Sequence, residues 1–144
     1  MSIAEQEQLK KEYYNEAIRY INNAKETLKK ASKEDNYYND EKYVKTACGT
    51  AYNGVLKALD GYLLLKDVRK PRGRKSIEYY QNNVVKYDKK LNTELKNAYD
   101  ILHLSGYYDG VTNVTVINEG FMIANDIIKR IEPGNWSAGT PNNI

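Results

Sequence analysis

The densest grouping of chemically capable side chains in this chain runs Lys96-Asn97-Ala98-Tyr99-Asp100-Ile101-Leu102-His103-Leu104-Ser105-Gly106-Tyr107-Tyr108-Asp109-Gly110, and it holds the only histidine. On an α-helix Lys96, Tyr99, Asp100, His103 and Tyr107 stand at i, i+3, i+4, i+7 and i+11, so they share one broad face. A cation, a carboxylate, an imidazole and two phenols would meet there. In that arrangement Asp100 can hydrogen-bond the imidazole and favour its charged form, which suits phosphate binding or acid and base work near neutral pH. A purely structural role fits the same residues, with His103 bridging Asp100 or a backbone carbonyl at the edge of a core. Ser105 cannot complete a serine triad, because residues this close on one helix diverge instead of converging on a substrate atom. With no second histidine and with Cys48 as the single cysteine, neither a metal site nor a cofactor is expected.

A second candidate surface is the run from Lys66 to Lys75, broken by Pro71 and Gly73, in which six of ten residues are basic. Arg69, Lys70, Arg72, Arg74 and Lys75 are its candidates for contact with an anion, a nucleic-acid backbone or an acidic protein. No aromatic residue interrupts the run to stack a base. Charge elsewhere agrees with this placement: residues 1 to 40 carry 7 basic and 8 acidic groups, residues 41 to 95 carry 12 and 6, and residues 96 to 144 carry 3 and 5. The net charge of +3 is too small to imply nucleic-acid binding by itself.

Positioning these groups falls to an all-α framework. Ser2-Ile3-Ala4-Glu5 has capping-box spacing, and Tyr14, Ala17, Ile21, Ala24, Leu28 and Ala31 follow at steps of three and four, predicting a long first helix that ends near Ser32. Lys33 to Asp40 is polar and has no apolar period, and Tyr37 and Tyr38 are placed to fold back onto the core. The second helix, about Glu41 to Asp67, is apolar nearly all round and should be central. Its stripe of Ala47, Ala51, Gly54, Ala58 and Gly61 allows a neighbour, the first or the last helix, to approach closely. Cys48 on this helix reads as a small core residue. A short third helix carries Ile77, Tyr80, Val84 and Tyr87 on one side. Asp88 caps a fourth, with a seam of Leu91, Leu95, Ala98 and Leu102 ending at Ser105-Gly106. The fifth carries Val114, Ile117, Phe121, Ala124, Ile128 and Ile131 and stops at Pro133-Gly134. No strand-like alternation is present. The expectation is an up-and-down helical bundle of four long helices plus one short helix, one domain over 1–132 with a flexible tail over 133–144.

Composition bounds the setting. A chain of 144 residues can bury roughly 70% of its unfolded surface and fold without disulfides. Purely apolar runs such as Leu63 to Leu65 are far below the roughly 20 residues of a membrane span. The N-terminus shows no secretory leader, so a reducing cytoplasm is expected. Fourteen tyrosines against one phenylalanine and one tryptophan supply rings with a polar tip to half-buried positions, lining either core margins or an interface.

The segments Ala51-Tyr52-Asn53-Gly54-Val55-Leu56-Lys57-Ala58-Leu59, Ala98 to His103 and Tyr107 to Gly110 resemble a small bacterial all-α family of unknown function, and more distantly HEPN helical bundles, over roughly residues 5 to 132. The HEPN resemblance implies dimerisation, partnership with a nucleotidyltransferase in toxin and antitoxin pairs, or metal-independent RNA cleavage. Cleavage in that family uses an arginine, an adjacent polar residue and a histidine separated from the arginine by four to six residues. The nearest match is Lys96, Asn97 and His103, where lysine lacks the planar guanidinium that grips phosphate twice. The preferred expectation is a cytoplasmic, homodimeric binding or interaction protein without catalysis of its own. Its alternatives are a HEPN-type ribonuclease, with His103 as acid or base and Lys96 on the phosphate, and a nucleotidyltransferase-partner or nucleotide-binding subunit.

Overall fold

Ser2 starts the first helix as its spacing predicts. The Ser2 hydroxyl accepts from the Glu5 amide at 3.1 Å, and the Glu5 carboxylate accepts from the Ser2 amide at 2.9 Å, satisfying two otherwise orphaned donors. The computed structural model describes residues 2–68, 71 and 73–132. Helix α1 spans Ile3–Lys29 and buries Ala17, Ile21, Ala24 and Leu28. Three expectations lie outside the described residues: the stop at Pro133-Gly134, the tail over 133–144, and the placement of Arg69, Lys70 and Arg72.

The connection after α1 departs from the polar loop expected. Lys33–Glu34 (β1) and Tyr37–Tyr38 (β2) pair as a two-residue antiparallel hairpin across Asp35-Asn36, with Asp35 at φ +56°. A tight turn of this kind needs positive φ, which aspartate tolerates better than most residues. The hairpin is too short to show alternation in sequence. Tertiary contacts hold it: the Tyr38 amide donates to the Thr112 carbonyl at 2.9 Å, and the Val114 amide donates to the Asn36 carbonyl at 2.9 Å. Tyr38 does fold onto the core, whereas Tyr37 stays exposed.

Helix α2, Glu41–Leu65, is capped by Asp40 and is the central element, with eleven buried residues that include Cys48. Its small-residue stripe receives α1. A β-carbon at Gly61 would overlap Tyr13, and one at Gly54 would press on Tyr20 and the Ala17 carbonyl. An interior glycine costs about 1 kcal/mol relative to alanine, and here the close approach of two helices offsets it. Helix α3, Ile77–Val84, is capped by Ser76 and buries Tyr80 and Val84, while Tyr87 lies beyond its end and is exposed.

Asp88 caps α4, Lys89–Ala98, by accepting from the Leu91 amide, and Asn113 caps α5, Val114–Arg130, by accepting from Val116. Between them the chain does not stop at Ser105-Gly106. It continues as a π-helix over Tyr99–Tyr108, closed by Gly110 at φ +67°. Gly106 sits inside this helix because Cys48 of α2 occupies the space a β-carbon would need, and Gly120 of α5 is pressed likewise by Ile101 and Leu102. The seam Leu91, Leu95, Ala98, Leu102 joins residues from α1, α2, α3 and α5 in one continuous core. Each fully buried leucine in it contributes about 1.5 to 3 kcal/mol. Four long helical elements and one short one form the expected all-α bundle, with α4 and the π-helix acting as one rod.

Candidate functional site

The π-helix decides which members of the histidine cluster meet. An α-helical residue turns by about 100°, so steps of four overshoot a full turn, and His103 and Tyr107 would rotate toward Asp100. With hydrogen bonds five residues apart each residue turns by less, steps of four fall short, and the same side chains rotate away from Asp100. The expected single face therefore splits. Lys96 donates to both oxygens of Asp100, at 2.7 and 2.9 Å, on the exposed side of the rod. Asn97 is exposed beside them. The predicted Asp100–imidazole bond is replaced by this lysine pair.

His103 and Tyr107 turn instead toward α2. The His103 ring stacks on Tyr99 at a centroid distance of 5.1 Å and on Tyr107 at 5.9 Å, and it lies 4.9 Å from Tyr52 of α2. Tyr108 closes edge-on, at 4.9 Å and 88°. Such ring pairs contribute about 0.5 to 1.5 kcal/mol each beyond their burial. Gly49 of α2 lets the Tyr107 ring lie against the helix backbone, since a β-carbon there would meet the Tyr107 Cδ1 at 2.8 Å. Burial, and then the positive charge of Arg74, hold the His103 pKa below its ordinary value. At neutral pH the imidazole is therefore uncharged, which reverses the expected effect of Asp100. Among the described residues no carboxylate is hydrogen-bonded to this ring, Asp100 being paired with Lys96.

These rings form one wall of an open cleft of about 840 Å³. The opposite wall comes from the end of the basic loop and the start of α3, with Arg74, Lys75 and Glu78. The two surfaces that the sequence presents separately, the histidine cluster and the basic run, thus face each other. Lys75 is anchored: its ammonium donates to Asp60 Oδ1 at 2.7 Å, and the Tyr80 hydroxyl donates to the same oxygen at 2.8 Å. Desolvation and the Asp60 charge push the Tyr80 hydroxyl pKa upward, so it remains a donor. Lys96, Asn97 and Asp100 do not line the cleft.

Sequence reasoning missed Tyr52, Asn53, Asp60, Glu78 and Tyr108 as site residues. One signal was present on the second helix, where Thr46, Thr50 and Asn53 make a small polar stripe at steps of four and three within an otherwise apolar pattern. Those three residues form part of the cleft floor. The described residues contain no grouping of three or more His, Cys, Asp or Glu side chains able to hold a metal ion. Cys48 is fully buried, and burial pushes its thiol pKa up to about 12, which fits the core role read from the sequence.

Residues 12–133 match the model of a domain of unknown function, DUF5618. Among solved structures the chain is similar to a protein of unknown function from Dyadobacter fermentans, at 45% identity and a TM-score of 0.78, covering 85% of this chain and 95% of that one. No curated protein matches. Neither match carries a HEPN designation. No helix among the described residues is long and apolar enough to cross a membrane.

Proposed function

The chain belongs to the DUF5618 family, a domain of unknown function, and on its geometry we propose that it works by binding, without catalysis of its own, through the tyrosine-lined cleft. The observation that carries this reading is the ring array: Tyr99, His103 and Tyr107 stacked along the π-helix, with Tyr107 and Tyr108 still 45% and 62% exposed. Large exposed aromatic faces beside a concave surface are the usual makings of a small-ligand site, and the volume falls within the roughly 300 to 1,000 Å³ of such sites. The binding reading is supported over a ribonuclease by the separation of Lys96, which pairs with Asp100 outside the cleft, from His103, which lines it.

The small-residue stripe does not support the homodimer reading, because α1 of the same chain covers Gly54 and Gly61, one of the two neighbours its pattern predicts. Self-association would instead use exposed tyrosines such as Tyr37, Tyr107 and Tyr108, and light scattering on the eluted protein measures it.

Because His103 is the only histidine, its imidazole Cε1–H gives one NMR signal that reports on the cleft. Screening a set of aromatic fragments should yield binders that shift this signal. Tyr107→Ala, with helicity intact by circular dichroism, should weaken them about tenfold, the usual loss of one stacking face. Binders that leave the signal unmoved and survive Tyr107→Ala would place the site elsewhere. RNA cleavage in EDTA that is lost in His103→Ala would overturn the non-catalytic reading.

A further inference from the structure

Two different chemistries confront each other across the cleft. On the rod side the rings of Tyr107 and Tyr108 offer flat, partly exposed faces that accept any planar group. On the loop side Arg74 is exposed and makes no ion pair with any described carboxylate. Its neighbour Lys75 differs, being neutralised by Asp60 at 2.7 Å. The Arg74 charge is felt across the gap, where it opposes protonation of His103. Glu78 is the one carboxylate among the described lining residues. A guanidinium is planar and presents paired donors that fit two oxygens of a carboxylate or phosphate, and it cannot lose its charge near neutral pH.

From this juxtaposition we propose that the cleft takes a planar aromatic anion, its ring lying on Tyr107 with Tyr108 standing edge-on to it and its carboxylate or phosphate on Arg74. The proposal rests on the reading of the cleft as the binding site and adds the class of ligand. A neutral ring would make only the stacking half of the contact. A non-planar anion would make only the guanidinium half. A simple aromatic acid and a nucleotide share the required chemistry, and they are separated by experiment.

The test titrates the full chain with defined probes by calorimetry while following the His103 imidazole signal. Indole-3-carboxylate and phenyl phosphate are compared with neutral indole and phenol, with the non-planar cyclohexanecarboxylate and inorganic phosphate, and with uridine monophosphate. The aromatic acids should bind at least about tenfold tighter than either control set, the usual worth of a charge-assisted hydrogen bond. Arg74→Gln should bring them down to the level of the neutral rings without changing the binding of indole or phenol. Tighter binding of uridine monophosphate than phenyl phosphate would support the class and point to a nucleotide source, and the reverse order would support it and point to simple aromatic acids. Equal affinity of acids and neutral rings, or indifference to Arg74→Gln, would overturn the ligand class while leaving the cleft as a binding site. If no probe moves the His103 signal, the proposal falls together with the binding-site reading beneath it.

Discussion

Gly106 of the π-helix lies so close to Cys48 of α2 that no β-carbon fits between them. This contact sets how near the rod that carries His103 comes to the central helix. It also gives a packing prediction. Gly106→Ala should destabilise the protein by about 1 to 3 kcal/mol, the typical cost of overfilling a tight core site. Cys48→Ala removes the obstructing sulfur, so the double variant should recover part of the loss, and denaturant unfolding of all four proteins in the cycle measures the coupling. Additive effects would show that the two residues do not meet in solution.

Asp60 holds the loop side of the cleft by accepting from Lys75 and from Tyr80, with the Asp60 and Lys75 side chains 19% and 21% exposed. Asp60→Asn should cost about 1 to 3 kcal/mol, because it weakens two hydrogen bonds to a charged acceptor. The Tyr80 pKa, raised in part by the Asp60 charge, should fall. Ultraviolet titration of the tyrosines and thermal melts check both outcomes. An unchanged melt would mean that the loop is held by other contacts.

The lowered pKa of His103 fixes the sign of one pH effect. Above the ordinary histidine value of about 6.5 the ring is neutral in folded and unfolded chains and adds no pH dependence. As pH falls below it, the unfolded chain takes up the proton first, so stability drops until the folded pKa is passed and then levels off. His103→Phe keeps a ring in the stack and removes the proton site. The difference in melting temperature between wild type and this variant should shift against wild type from pH 7 to pH 5. A difference that moves the other way would show that folding raises the histidine pKa.

Lys96 and Asp100 form an exposed pair at i and i+4, with side chains 52% and 45% accessible. Such pairs contribute about 0.3 to 0.5 kcal/mol. Lys96→Ala should accordingly change stability by less than about 1 kcal/mol and leave the His103 titration curve where it is. A clear displacement of that curve would restore Lys96 to the histidine site.

What the sequence determined is what a few neighbouring residues can encode. The capping box at Ser2, the Asp88 cap, the buried steps of α1 and α5, the central position of α2 and the core role of Cys48 were all legible, because caps and helical periodicity depend on side chains within a turn or two. Tyr37–Tyr38 were not legible as a strand, since the hairpin is held by Thr112 and Val114, far away in the chain. The site depended on tertiary structure to a greater degree. Residues 99–108 wind with bonds five apart, Gly106 fits on Cys48 and Gly120 on Ile101 and Leu102, and His103 lies against Tyr52, all of them relationships to residues outside the local pattern. The cleft likewise needs α2, the loop end at Arg74 and the π-helix together, and local pattern carries no information about which distant surfaces the packed core will bring face to face.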